Sequence, residues 1–151
     1  MVAVIGTRAR GVREEDAGQH VAGLTVGQDL SERMVQLTPP SPRFSLGMSF
    51  PGFSRTGPVL VTPDEFHHPD DLEIGCAVDG ETVQQSRTSN MVLAVPRLIS
   101  WISGISPLLP GDLLFTGTPP ASVASAARAA SSIPGKSCTA GSRGWVPSAT
   151  R

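Results

Sequence analysis

The sequence predicts an α+β chain, mainly β with a few helices. Three observations carry that expectation. Short apolar or β-branched runs recur at residues 2–5, 22–26, 59–62 and 113–115, each closed by glycine, threonine or proline. An Asp79-Gly80 pair stands between two alternating stretches, the pattern of a hairpin with a two-residue turn. One longer stretch, ending near Ser103, repeats apolar residues at helical spacing.

Taken in order, residues 2–5 form a buried strand by length and residue type. Glu14-Glu15-Asp16 opens a short helix reaching about His20, with its acids in the first turn where the helix dipole favours them. Residues 21–30 are the second strand and deliver Asp29 near its end. Residues 37–43 are proline-punctuated loop. Residues 44–53 mix aromatics with glycine and proline and pack without forming a long element. Residues 59–62 are a strand stopped by Pro63. His67-His68 lies in a polar loop, where adjacent side chains point apart and suit a surface better than a metal.

Leu72, Ile74, Cys76 and Val78 alternate up to the Asp79-Gly80 turn, and residues 81–86 return. Thr88-Ser89-Asn90 offers caps for a helix to about Ser103, whose regular part starts near Val95 because Pro96 suits only a first turn. Leu98, Trp101, Ile102 and Ile105 share one face, read as core packing. Residues 113–115 are the last clear strand, followed by Thr116-Gly117-Thr118-Pro119.

A chain of 151 residues with 39% hydrophobic and 17% charged residues is large enough to fold around one core. Its runs fall short of the ~18 apolar residues a bilayer span needs, so no membrane partner is expected. All thirteen acids lie at or before Asp112, and the last thirty-one residues carry only basic charges. That basic excess lacks interleaved aromatics, so no nucleic-acid partner is expected either. Cys76 and Cys138 are widely separated, which indicates neither zinc nor a disulfide framework. The start, Met-Val-Ala-Val-Ile-Gly, has no basic leader and reads as a strand. A cytoplasmic chain with free thiols is the resulting expectation.

The stretch most suggestive of chemistry follows the second strand: Val26-Gly27-Gln28-Asp29-Leu30-Ser31-Glu32-Arg33-Met34-Val35-Gln36. An acid, a base and an amide at short spacing, beside a glycine that admits another group against the backbone, are the makings of a site. The same residues also suit a turn capped by Asp29 with a solvated Asp29–Arg33 pair.

That stretch, together with Phe44-Ser45-Leu46-Gly47-Met48-Ser49-Phe50-Pro51-Gly52-Phe53 and Thr56-Gly57-Pro58, resembles the fumarylacetoacetate hydrolase family. So do Pro69-Asp70-Asp71-Leu72-Glu73-Ile74-Gly75-Cys76, Gln85-Ser86-Arg87-Thr88-Ser89 and Leu109-Pro110-Gly111-Asp112-Leu113-Leu114-Phe115-Thr116-Gly117-Thr118-Pro119. The blocks stand in family order and cover the chain to about Pro120. The resemblance implies a rolled mixed β-sheet, incomplete here, usually found in a homodimer. It implies a divalent cation, Mg²⁺ or Mn²⁺ and sometimes Ca²⁺, that polarises a small 2-oxo or diketo acid for hydrolysis, hydration, isomerisation or decarboxylation. Asp29 matches one of the family's three metal-binding acids. Arg33, Gln36 and Thr118 match substrate-binding positions.

The departures matter as much. The family's Glu-x-Glu pair precedes a strand like residues 2–5, and its His-Glu base elements lie further upstream. Met48 stands where the family has a lysine, and it brings neither charge nor a donor. No catalytic residue is therefore intact, any cation is weakly bound, and the expected activity of this chain alone is small. A non-catalytic dimerising or regulatory partner of an intact paralogue, or a gene remnant, is the alternative. Residues 1–120 are expected to be a partial domain. Residues 121–151 read as a non-homologous tail, frameshifted near Pro120 or disordered, because suitable synonymous codons can encode a family-like glycine-valine turn and closing strand in a shifted frame.

Overall fold

The computed structural model describes residues 1–120 and 138–141. Strand β1 (Val2–Ile5) is followed by a 3₁₀ turn at Glu14–His20 and by β2 (Val21–Thr25). Then come β3 (Gly27–Gln28), α1 (Arg33–Gln36), α2 (Phe44–Gly47) and β4 (Arg55–Thr56). β5 (Glu73–Val78) and β6 (Glu81–Arg87) form the expected hairpin, with Asp79 and Gly80 at φ of 50° and 82° as its turn requires. α3 (Val95–Ile105), β7 (Leu113–Phe115) and β8 (Cys138–Gly141) complete the described strands and α-helices. The architecture is mixed α+β, as the sequence predicts.

The first sheet has the order β2-β1-β7, all antiparallel. As its middle strand β1 is covered on both faces, which an uninterrupted aliphatic run suits. On one face Ala3 and Ile5 lead into the core, with Leu24, Leu72, Ala9, Ala17 and Ile99 buried around them. On the other face Val2, fully buried, pairs across the sheet with Phe115. Sheets β3-β4 and β6-β5-β8 are separate.

Three expectations are corrected. The strand expected over residues 21–30 breaks at Val26, whose carbonyl accepts from the Gly57 amide at 3.1 Å. That break turns the chain so that Gly27 crosses over the Val2–Phe115 pair. A methyl at Gly27 would lie 2.4 Å from Val2 Cγ2 and 2.8 Å from Phe115 Cε1, so only glycine passes here. Residues 59–62 form no strand; Val61 alone bridges Leu24, between Pro58 and Pro63, which cannot donate to a ladder.

The buried face of α3 is Ile99 and Ser103, while Trp101 and Ile105 are 65% and 68% exposed. Ser103 decides this: its carbonyl accepts from the Gly11 amide at 2.9 Å and its Oγ from the Val12 amide at 3.1 Å. A small side chain there lets the loop at Gly11-Val12 lie against the helix, and the bulky face turns outward. Cys138–Gly141, within residues 121–151, pairs antiparallel with β5. The outer edge of β5 presents unpaired backbone groups that accept a strand. Residues 121–137 and 142–151 lie outside the described residues.

Candidate functional site

Asp29 follows β3 and is exposed on the surface. The protein packed on one side of it pushes its pKa above the ordinary Asp value, and the nearby positive charge of Arg33 opposes that shift. Three residues on, Glu32 caps α1: its carboxylate accepts from the Met34 amide at 3.3 Å and the Val35 amide at 2.6 Å.

Capping fixes the first turn of α1 and so places Arg33 and Gln36. Arg33 is exposed, and its guanidinium donates to the Gln36 side-chain carbonyl. Gln36 is only 1% exposed and sits beneath α2, where Gly47 lies against it so closely that a methyl would come within 2.8 Å of Gln36 Cβ. A buried amide thus braces an exposed cation. Glu32 also ties the two short helices together, its amide donating to the Gly47 carbonyl at 2.8 Å.

Thr118 is exposed on the segment after β7. The Gln84 side-chain amide donates to Thr118 Oγ1 at 3.0 Å and to the Pro119 carbonyl at 2.8 Å. Gln84 lies on β6 directly across from Cys76 on β5, and cross-strand partners share a face. The Gln28 side chain donates to Cys76 Sγ at 3.7 Å. The residue before Asp29 and the residue holding Thr118 are therefore seated side by side on one face of the hairpin.

Met48 is half-buried at the C-terminal end of α2 and supplies no charge where the resemblance expects a lysine. His67 and His68 are both exposed. Among the described residues no three His, Cys, Asp or Glu side chains gather as a metal site. Glu32, the nearest acid to Asp29 in sequence, is engaged by the cap. A hard divalent ion takes about six oxygen ligands, and the described residues by themselves gather no group of three such side chains to build its site.

Sequence reasoning missed Glu32, Gln84 and the Gln28–Cys76 contact. Glu32 carries a weak signal, an acid just before the amides of an emerging helix. Gln84 carries none, because a bulge decides which residue it faces. The hairpin turn alone would pair Cys76 with Val83; the register shifts between Cys76 and Ala77, and Gln84 becomes the partner.

Among known proteins, the cattle mitochondrial oxaloacetate tautomerase FAHD2A is 42% identical over 120 residues, which is 80% of this chain and 38% of that protein. The mitochondrial oxaloacetate tautomerase fahd2 of Xenopus laevis is 44% identical over 117 residues, 78% of this chain and 37% of that protein. The chain spans under two fifths of the length of these relatives. Their mitochondrial placement overturns the expectation of a cytoplasmic chain. The solved fumarylacetoacetate hydrolase of Exiguobacterium antarcticum superposes with a TM-score of 0.85 at 30% identity, covering 95% of this chain and 50% of that one. The fumarylpyruvate hydrolase of Pseudomonas aeruginosa, solved with Mn²⁺ and pyruvate, gives 0.79 at 30% identity over 93% of this chain and 58% of that one. The family model for the fumarylacetoacetate (FAA) hydrolase C-terminal domain matches residues 1–144, beyond the boundary expected at Pro120. On that match and those identities, the chain belongs to the fumarylacetoacetate hydrolase family.

Proposed function

We propose that this chain forms the acid-binding part of a fumarylacetoacetate hydrolase-family domain that acts on a small 2-oxo or diketo acid. One observation carries the reading: an exposed Arg33 held by a buried Gln36, four residues after an exposed Asp29 whose charged form is disfavoured. A guanidinium fixed from behind can meet a carboxylate with two parallel N–H bonds, and the fixing reduces what must be ordered on binding. Thr118 supplies a hydroxyl to an oxygen of the same ligand. The names of the relatives, oxaloacetate tautomerase and fumarylpyruvate hydrolase, support a four-carbon or larger 2-oxo acid.

Asp29 is the chain's contribution to a divalent cation, Mg²⁺, Mn²⁺ or Ca²⁺, held weakly and mainly by water. When bound, such an ion polarises the 2-oxo group. With one carboxylate and with Met48 in place of an ammonium, the chain alone binds the acid but converts it poorly. A second reading, a non-catalytic partner of an intact relative, draws on the exposed α3 face of Trp101 and Ile105.

The test uses the purified chain with Mg²⁺ or Mn²⁺. Pyruvate titrated by NMR should shift resonances around Arg33 and Thr118, and Arg33→Ala should abolish the response. Enol-to-keto conversion of oxaloacetate and cleavage of fumarylpyruvate should run far below the rates of an intact relative. Rates matching the relative's overturn the impairment, and an Arg33→Ala titration identical to wild type overturns the site. Co-purification with a full-length relative, abolished by Trp101→Glu, favours the second reading.

A further inference from the structure

We propose that Gln84 is a positioning residue: it fixes the Thr118 hydroxyl as a hydrogen-bond donor aimed at an oxygen of the bound acid. The inference rests on reading this site as one for a 2-oxo acid. The Pro119 carbonyl can only accept. Its 2.8 Å contact therefore identifies the facing Gln84 atom as the amide nitrogen. The same nitrogen lies 3.0 Å from Thr118 Oγ1, and an amide N–H can only donate.

Thr118 Oγ1 is thus the acceptor in that bond, and its own hydrogen is left for another partner. The Pro119 carbonyl stands at 3.5 Å from Oγ1, the limit of a hydrogen bond, and is already served by Gln84. An exposed hydroxyl whose lone pair is occupied and whose proton is available offers a ligand a donor. That suits the carboxylate and keto oxygens of a 2-oxo acid, which accept only.

Gln84 is well placed to hold this arrangement. It is half-buried on β6, and the register shift that seats it beside Cys76 makes it neighbour to the Gln28 contact that precedes Asp29. One amide, on a strand rather than in a loop, thereby ties the Thr118 segment to the face that carries the other half of the site.

The substitution that separates positioning from packing is Gln84→Glu, compared with Gln84→Met. A carboxylate at 84 accepts the Thr118 proton, so the hydroxyl no longer donates outward; protonating that carboxyl restores a donor at 84. Pyruvate is titrated in the presence of Mg²⁺ and followed by NMR from neutral to mildly acidic pH, with resonance dispersion confirming that each variant is folded. Gln84→Glu should weaken pyruvate binding about tenfold at neutral pH, the effect of losing one charge-assisted bond. Part of that loss should return as pH falls through the carboxyl range, with no such return in Gln84→Met. Wild-type affinity in Gln84→Glu, or a loss that does not depend on pH, overturns the proposal. If the unsubstituted chain binds no pyruvate, the site reading itself fails. Gln84 is then judged in the unliganded protein by Thr118→Val: displaced Gln84 side-chain amide protons uphold the bond, and unmoved ones overturn it.

Discussion

Gly27→Ala tests whether the crossing of β3 over the first sheet is what presents Asp29. The added methyl would meet Val2 Cγ2 at 2.4 Å and Phe115 Cε1 at 2.8 Å. Carbon atoms in contact prefer about 3.5–4.0 Å, so both approaches fall short by roughly an ångström. Val2 is fully buried in the central strand and has no open side to turn to. Relief must come from moving the β3 backbone, and forced overpacking of this kind costs about 1–3 kcal/mol. Burying one extra methyl returns less than about 1 kcal/mol. The expected net is a destabilisation of about 1–2 kcal/mol, or roughly 2–8 °C in melting temperature for a chain of this size. Denaturant titration followed by tryptophan fluorescence measures it. Gly104→Ala is the control: a methyl there meets nothing within 4 Å and α3 gains a better helix former, so stability should rise by up to about 1 kcal/mol. If Gly27→Ala is as stable as wild type while Gly104→Ala behaves as expected, the close crossing is not a constraint and the reasoning fails.

Three further outcomes follow from the same geometry. Thr88→Val should cost about 1–3 kcal/mol in chemical denaturation: Thr88 is 2% exposed, its Oγ1 accepting from the Leu72 amide at 2.8 Å and donating to the Asp70 carbonyl at 3.0 Å. Asp29→Asn should raise stability at neutral pH, because a carboxyl whose pKa is raised on folding costs stability as pH rises from its ordinary value through the folded one. The gain should fade on acidification, and Mn²⁺ binding followed by water-proton relaxation should fall. Asp71, held at about 2 by the Arg87 guanidinium and the Ser89 hydroxyl, contributes stability above the ordinary Asp value of 3.8 that is lost as pH falls toward about 2. Arg87→Met should therefore flatten the acid limb of a stability–pH curve in that window.

Local chemistry made much of the fold legible. The β5–β6 turn was readable because Asp79 and Gly80 adopt the positive φ that such a turn demands. α3 began at Val95 because Pro96 has no amide to give a helix interior. Gly27 was readable as a point of close approach, though not what would approach it. By contrast, the stripe of Trp101 and Ile105 misled. Helical periodicity says which residues share a face, and only the loop bonded to Ser103 decides which face is inside.

The sequence by itself determined the family and the mixed α+β class, and it named Asp29, Arg33, Gln36 and Thr118 as candidates, because ordered blocks of residue types survive without reference to space. Tertiary structure alone decided how they are held. Gln36 braces Arg33 because α2 buries it, Glu32 is taken from any cation by a helix end, and Gln84 reaches Thr118 because a single shift of register set its face. Each depends on contacts between segments whose pairing is a small free-energy difference among many alternatives, a quantity spread over the whole chain rather than written at the residues themselves.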